Sequence, residues 1–145
     1  MASTSRGSRT PLQKAAAVGG AVFLLVGLLG FVPGVTTDYD TLDFAAHHSE
    51  ARLLGLFQVS ILHNLVHLLF GVAGLTLASS ASAARSYLIV GGVYLVLWLY
   101  GLLIDHNSAA NFVPVNRADN WLHFALGVAM IALGTLLTRP TRMRA

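Results

Sequence analysis

The strongest constraint on this chain is where charge is missing. Four stretches, about 15–32, 53–78, 87–104 and 121–138, contain no Lys, Arg, Asp or Glu and are dominated by Leu, Val, Ala, Gly and Phe. A helix crossing about 30 Å of hydrocarbon needs roughly 20 such residues. Its backbone must also be hydrogen-bonded internally, because lipid offers no partner. Unbroken apolar runs fit helices rather than the alternating pattern of a membrane barrel strand. The sequence therefore predicts an all-α integral membrane protein with four transmembrane helices. Only 10% of its residues are charged, against roughly 25% in soluble domains. With no cysteine, a disulfide scaffold and thiolate chemistry are excluded.

The charges that exist are sorted by loop. Arg6, Arg9 and Lys14 precede the first span, Arg85 lies between the second and third, and Arg139, Arg142 and Arg144 follow the fourth, with no acidic residue in any of these segments. Asp38, Asp40, Asp43, Glu50, Asp105 and Asp119 all fall in the two remaining loops, with Arg52 and Arg117 the only Lys or Arg there. Positive charge marks the cytoplasmic side. Both basic tails, 1–14 and 139–145, are therefore placed in the cytoplasm, and the acidic loops outside. The net charge of +3 is a topology signal and implies no nucleic-acid partner; the bilayer is the partner. The first apolar run exceeds the usual 7–15 residues of a signal-peptide core and is expected to be retained.

Three short matches recur in the same order. Val18-Gly19-Gly20 resembles Val90-Gly91-Gly92, Phe31-Val32-Pro33 resembles Phe112-Val113-Pro114, and the Asn64–His67–Gly71 pattern resembles Asn120–His123–Gly127. Ordered self-similarity is the signature of duplication. It predicts a tandem-duplicated helical hairpin, its two copies related by a pseudo-twofold axis along the membrane normal, as in parallel transporter repeats. His67 and His123 then lie at equal depth. The first copy carries an outer insert, about 34–58, that holds His47, His48 and most of the acidic residues.

A stripe of small and polar residues runs down the second and fourth spans: Ser60, Asn64, His67, Gly71 and Gly74 in one, Asn120, His123, Gly127 and Gly134 in the other. Steps of three and four place each set on one helix face, and small residues let helices approach closely where no hydrophobic effect drives association. These residues are the expected packing seam. His63, four residues before His67, joins His67 and His123 as a candidate cofactor-binding set. Imidazole ligates transition metals and haem, and hydrogen-bonds a quinone. As packing groups the same side chains bridge helices.

No phosphate loop, nucleophile elbow or His-Glu-x-x-His motif is present, and no residue is assigned a catalytic or metal-ligating role. The segments Leu56-Phe57-Gln58-Val59-Ser60, Leu62 through Gly71, Asn111 through Asn116 and Asp119-Asn120-Trp121-Leu122-His123 resemble small four-helix membrane proteins of actinobacteria and other bacteria, a family known as a domain of unknown function. The resemblance covers about 14–139 and implies a bacterial plasma-membrane location, with no activity, substrate or cofactor to carry over. The expected function is a non-enzymatic accessory or stabilising subunit of a larger membrane complex, or a homo-oligomer. The alternatives are a haem-, quinone- or metal-binding redox protein and a small-solute or proton pathway.

Overall fold

The computed structural model describes residues 8–138. Most of the two basic tails' arginines (Arg6, Arg139, Arg142 and Arg144) lie outside them. The chain is mostly helical. Helix α1 spans Pro11–Leu29, opened by Thr10 and Gln13 in a reciprocal capping box with proline in the first turn. The side-chain amide of Gln13 then donates to the carbonyls of Ala78 and Ser79, 3.1 and 2.9 Å away. That bond clips the start of α1 to the end of α2, Ile61–Leu77.

The second span was expected over 53–78, but its first third is not helical. Arg52–Leu53 and Phe57–Gln58 form strands β2 and β3 of a small antiparallel sheet, completed by β1 at Thr36–Thr37 in the order β1-β2-β3. The turn between β2 and β3 holds Leu54 and Gly55 at φ 55° and 71°, and Gly55 meets that demand without a Cβ penalty. Ser60 caps the helix, its hydroxyl accepting from the His63 amide. The amides of Ile61 and Leu62 donate to the carbonyls of Asp43 and Phe44. The insert thus satisfies the orphan donors at the start of α2.

The third span also differs from the single helix expected over 87–104. Helix α3, Ala81–Val90, begins earlier, because Ser80 caps it by accepting from the Ala83 amide. Helix α4 is Val93–Leu103. Between them Gly91 and Gly92 stay right-handed, but the bonds tighten to Gly92 N to Ile89 O and Tyr94 N to Gly91 O, the three-residue pattern of a 3-10 turn. Helix α5, Arg117–Leu136, starts in a capping box of Asn116 and Asp119.

Two helical segments, Pro11–Leu29 and Ala81–Leu103, are long and apolar enough to cross a membrane. Helix α2 is apolar but has 17 residues, a reach of about 26 Å at 1.5 Å per residue.

Close approaches set the packing. A Cβ on Gly20 would lie 2.8 Å from the Gly71 carbonyl oxygen, and one on Gly27 2.9 Å from that of Asn64. Falling partner numbers against rising ones make α1 and α2 antiparallel. Gly127 against Leu95 and Gly91 against Met130 make α3–α4 antiparallel to α5 in the same way. Burial is inverted relative to a water-soluble fold. Val18, Val22, Leu25, Leu69, Val96, Leu103, Trp121 and Val128 are exposed, whereas Ser60, His63, Asn64, His67, Asn111, Asp119, Asn120 and His123 are buried. In water the ordinary arrangement is the reverse.

Candidate functional site

All of the seam residues (Ser60, Asn64, His67, Gly71, Gly74, Asn120, His123, Gly127 and Gly134) are buried. The glycines face neighbouring helices of the same chain. Gly71 packs on Leu24 and Gly127 on Leu95, while the amides of Asn64 and Asn120 lie over Gly30 and Gly101.

The three candidate histidines come together. The ring centroid of His63 is 4.6 Å from that of His67 on α2, and 6.3 Å from that of His123 on α5. Phe23 of α1 stacks on Tyr94 of α4, with centroids 5.4 Å apart and planes within 8°. His67 lies against Phe23 at 5.8 Å and His123 against Tyr94 at 5.2 Å. Helices α1, α2, α4 and α5 each contribute a ring. Among the described residues, the enclosed Nδ1 atoms of His63, His67 and His123 have no hydrogen-bond partner. The imidazoles therefore keep hydrogen-bonding capacity that the fold does not use, which is costly in a buried site unless something else satisfies it.

Two cavities meet at this cluster. One, of about 190 Å³, lies between α2 and α4 beneath the 110–115 segment and is lined by Tyr94, Leu97 and Tyr100 besides the three histidines. That segment is tied down by Asn111, which accepts from the Val115 amide and donates to the carbonyls of His106 and Val115. The other, of about 290 Å³, lies between α1 and α5 beneath the β2–β3 hairpin. Its walls include Phe23, Val26, Leu29, Leu53, Phe57 and Leu122, with Asp119 and the same three histidines as its polar groups. Among the described residues no group of three His, Cys, Asp or Glu side chains is placed to hold a metal ion. A shared metal needs ligand atoms about 2 Å from one point, and clustering of ring centres alone does not provide that.

Asp119 is the site residue that the sequence reading passes over. Beside Arg117 in an outer loop it reads as a head-group charge, yet it is 3% exposed. Its Oδ2 accepts from the backbone amides of Gln58 at 3.0 Å and Asn116 at 2.8 Å, so one oxygen joins β3 to the first turn of α5. Burial pushes its carboxyl up to about 7, against the opposing pull of those amides. The available signal was its spacing: Asp119 stands four residues before His123, as His63 stands four before His67. Phe23 and Tyr94 were missed as cavity walls because an aromatic residue in an apolar span carries no local mark of its neighbours.

Comparison with known proteins places this arrangement in a family. A family model described as Domain of unknown function (DUF4383) matches residues 13–136. The chain belongs to that family. The match runs from the capping box of α1 to the end of α5, so every residue of the histidine cluster and both cavities falls within the family's domain. No curated protein and no solved structure shows significant similarity to the chain.

Proposed function

We propose that this chain is a four-helix integral membrane protein that binds a small lipophilic molecule at its interior histidines. The observation that carries the reading is the convergence of two largely apolar cavities on three imidazoles with unpartnered Nδ1 atoms. Pockets of this kind, apolar walls with a few convergent polar groups, are where small molecules bind. Ionisable groups inside a membrane domain mark functional sites by default.

The membrane assignment is supported by the inverted burial and by the two long apolar helices. Four spans, with both termini in the cytoplasm, follow from the charge sorting. The cysteine-free sequence allows a direct check. Single cysteines replacing Thr41 or Ser108 should react with an impermeant maleimide on intact cells, and one replacing Ser82 only after lysis. The opposite pattern, or labelling of all three, would remove the topology.

The duplicated hairpin is supported by contacts that recur in pairs. Leu24–Gly71 has its counterpart in Leu95–Gly127, Gly30–Asn64 in Gly101–Asn120, and Phe23–His67 in Tyr94–His123. These pairs align Gly20 with Gly91, one residue away from the letter match of Gly20 with Gly92. On the same alignment the two cavities are counterparts: Phe23, Val26, Leu29 and Asp119 of one correspond to Tyr94, Leu97, Tyr100 and His63 of the other.

Protein purified in mild detergent should carry a lipophilic species detectable by native mass spectrometry, or take up a photoreactive alkyl diazirine at residues lining the cavities. His67→Ala and His123→Ala should lower occupancy at least several-fold. A chain that carries nothing and is labelled only on its outer faces would refute the reading.

The accessory-subunit reading retains one specific support, the exposed apolar faces such as Val18, Val22, Leu25 and Leu69, which a partner helix covers as well as lipid does. In-membrane crosslinking from Val18 and Leu69 separates the two: a single protein adduct favours a partner, lipid adducts the bilayer.

A further inference from the structure

We propose that the cavity between α1 and α5 takes a phenol or hydroquinone on an apolar body, its hydroxyl hydrogen-bonded to Asp119. This rests on the ligand-binding reading above and names the chemistry of the ligand. The cavity is long-walled with Phe23, Val26, Leu29 and Leu122, and its polar groups are confined to Asp119 and the three histidines. Its occupant therefore has one polar group on an otherwise apolar frame.

Among the described residues no Lys or Arg lines the cavity, so a carboxylate or phosphate head group would enter without a countercharge, and an unpaired charge in such a place is expensive. An ammonium head would form an ion pair with Asp119 whose desolvation offsets much of its attraction. A neutral hydroxyl avoids both costs. Asp119 is set up to receive it: both backbone amides go to Oδ2, and neither uses Oδ1. His123, one helical turn further along α5, and His63 and His67 across the cavity offer further donor or acceptor nitrogens. An aromatic ring on the ligand matches the walls as well, because Phe23 and Phe57 both border the cavity and aromatic pairs gain from offset or edge contact.

The counterpart cavity has His63 where this one has Asp119, and adds the hydroxyls of Tyr94 and Tyr100. The Tyr100 hydroxyl already donates to the Ala110 carbonyl. Duplication has thus produced two cavities of related shape and different polarity, and the carboxylate distinguishes the one assigned here.

The test uses three photoreactive probes with one alkyl chain, ending in a phenol, its methyl ether and a trimethylammonium, on the full chain in lipid nanodiscs at pH 8.5. The phenol should label Val26, Leu122 or Leu126 with about ten-fold higher affinity than the ether, the scale of one hydrogen bond to a charged group. Asp119→Asn keeps a carbonyl oxygen for the two amides but turns an N–H₂ donor toward the ligand. It should abolish the preference, because the N–H₂ donates to the oxygen of phenol and ether alike and the phenol no longer has its acceptor. His47→Ala, outside both cavities, should change nothing. Equal labelling by phenol and ether, a preference unchanged in Asp119→Asn, or stronger labelling by the ammonium would each overturn the phenol assignment and leave the ligand site standing. Failure of all three probes to label either cavity would overturn both.

Discussion

Replacing Gly71 by alanine should unfold or severely loosen the protein, whereas the same change at Gly19 should be tolerated. A Cβ on Gly71 would lie 2.6 Å from the backbone nitrogen of Leu24 and 2.8 Å from the carbonyl oxygen of Gly20. These are backbone atoms of a packed helix, so no side chain can rotate away and α1 must be pushed off α2. Overpacking of this kind costs typically 1–3 kcal/mol, and the loss for Gly71→Ala is expected at the upper end, about 3 kcal/mol. Gly127→Ala meets the Leu95 side chain first, at 2.7 Å, and its backbone nitrogen at 3.0 Å. A leucine can yield in part, and about 1–2 kcal/mol is expected there. At Gly19 the nearest atom is Tyr87 Cε1 at 3.8 Å, an ordinary contact, and alanine gains about 0.8–1 kcal/mol of helix propensity. Thermal unfolding in detergent, followed by circular dichroism, should rank the variants Gly19→Ala, Gly127→Ala, Gly71→Ala from most to least stable. A Gly71→Ala protein as stable as the parent would mean that α1 and α2 do not pack in this register.

That close packing was legible in the sequence because its cause is local. Steps of three and four residues between Ser60, Asn64, His67, Gly71 and Gly74 define a helix face without reference to anything else, and the clustering of three histidines followed from putting two such faces together. The start of α2 was not legible. Leu53 to Val59 is as apolar as a span, and only the left-handed turn at Leu54–Gly55 and the Ser60 cap separate strand from helix. Hydropathy does not register either one. The break at Gly91–Gly92 was hidden for a related reason: glycines in a span read as packing residues, and Gly91 does pack on Met130, while the change of hydrogen-bond step between them is a backbone effect. Asp119 was misread because its burial depends on Gln58, 61 positions away, and no window along the chain brings those two residues together.

The same carboxylate should make the parent lose stability relative to Asp119→Asn as pH rises toward neutrality. Asp119 stands ahead of the apolar run that begins at Trp121, and its folded-state carboxyl is raised from 3.8 to about 7 by burial. At this one group the folded chain keeps its proton over a range in which the unfolded chain has released it. Its contribution to stability therefore has a negative slope with pH in that window, is fully present below about 4 and is lost above about 7. A displacement of this size corresponds to on the order of 4 kcal/mol across the window, reduced by whatever relaxation lets water reach the carboxylate. Asp119→Asn removes the titration while its side-chain oxygen still accepts from Gln58 and Asn116. All other titratable groups are common to the two proteins, so the stability of the parent minus that of Asp119→Asn should fall between pH 4 and 7, leaving the variant the more stable at pH 8. Asp119→Ala should titrate no better than Asn but sit lower throughout, since the two amides lose their acceptor and α5 loses its capping box, a change typically worth about 1 kcal/mol. Denaturation midpoints for the three proteins across pH 4–8 decide the matter. A parent-minus-Asn difference that stays constant or rises over that range would place an ionised, well-solvated Asp119 at the surface. The join between β3 and α5 would then be absent, and with it the polar end of the larger cavity.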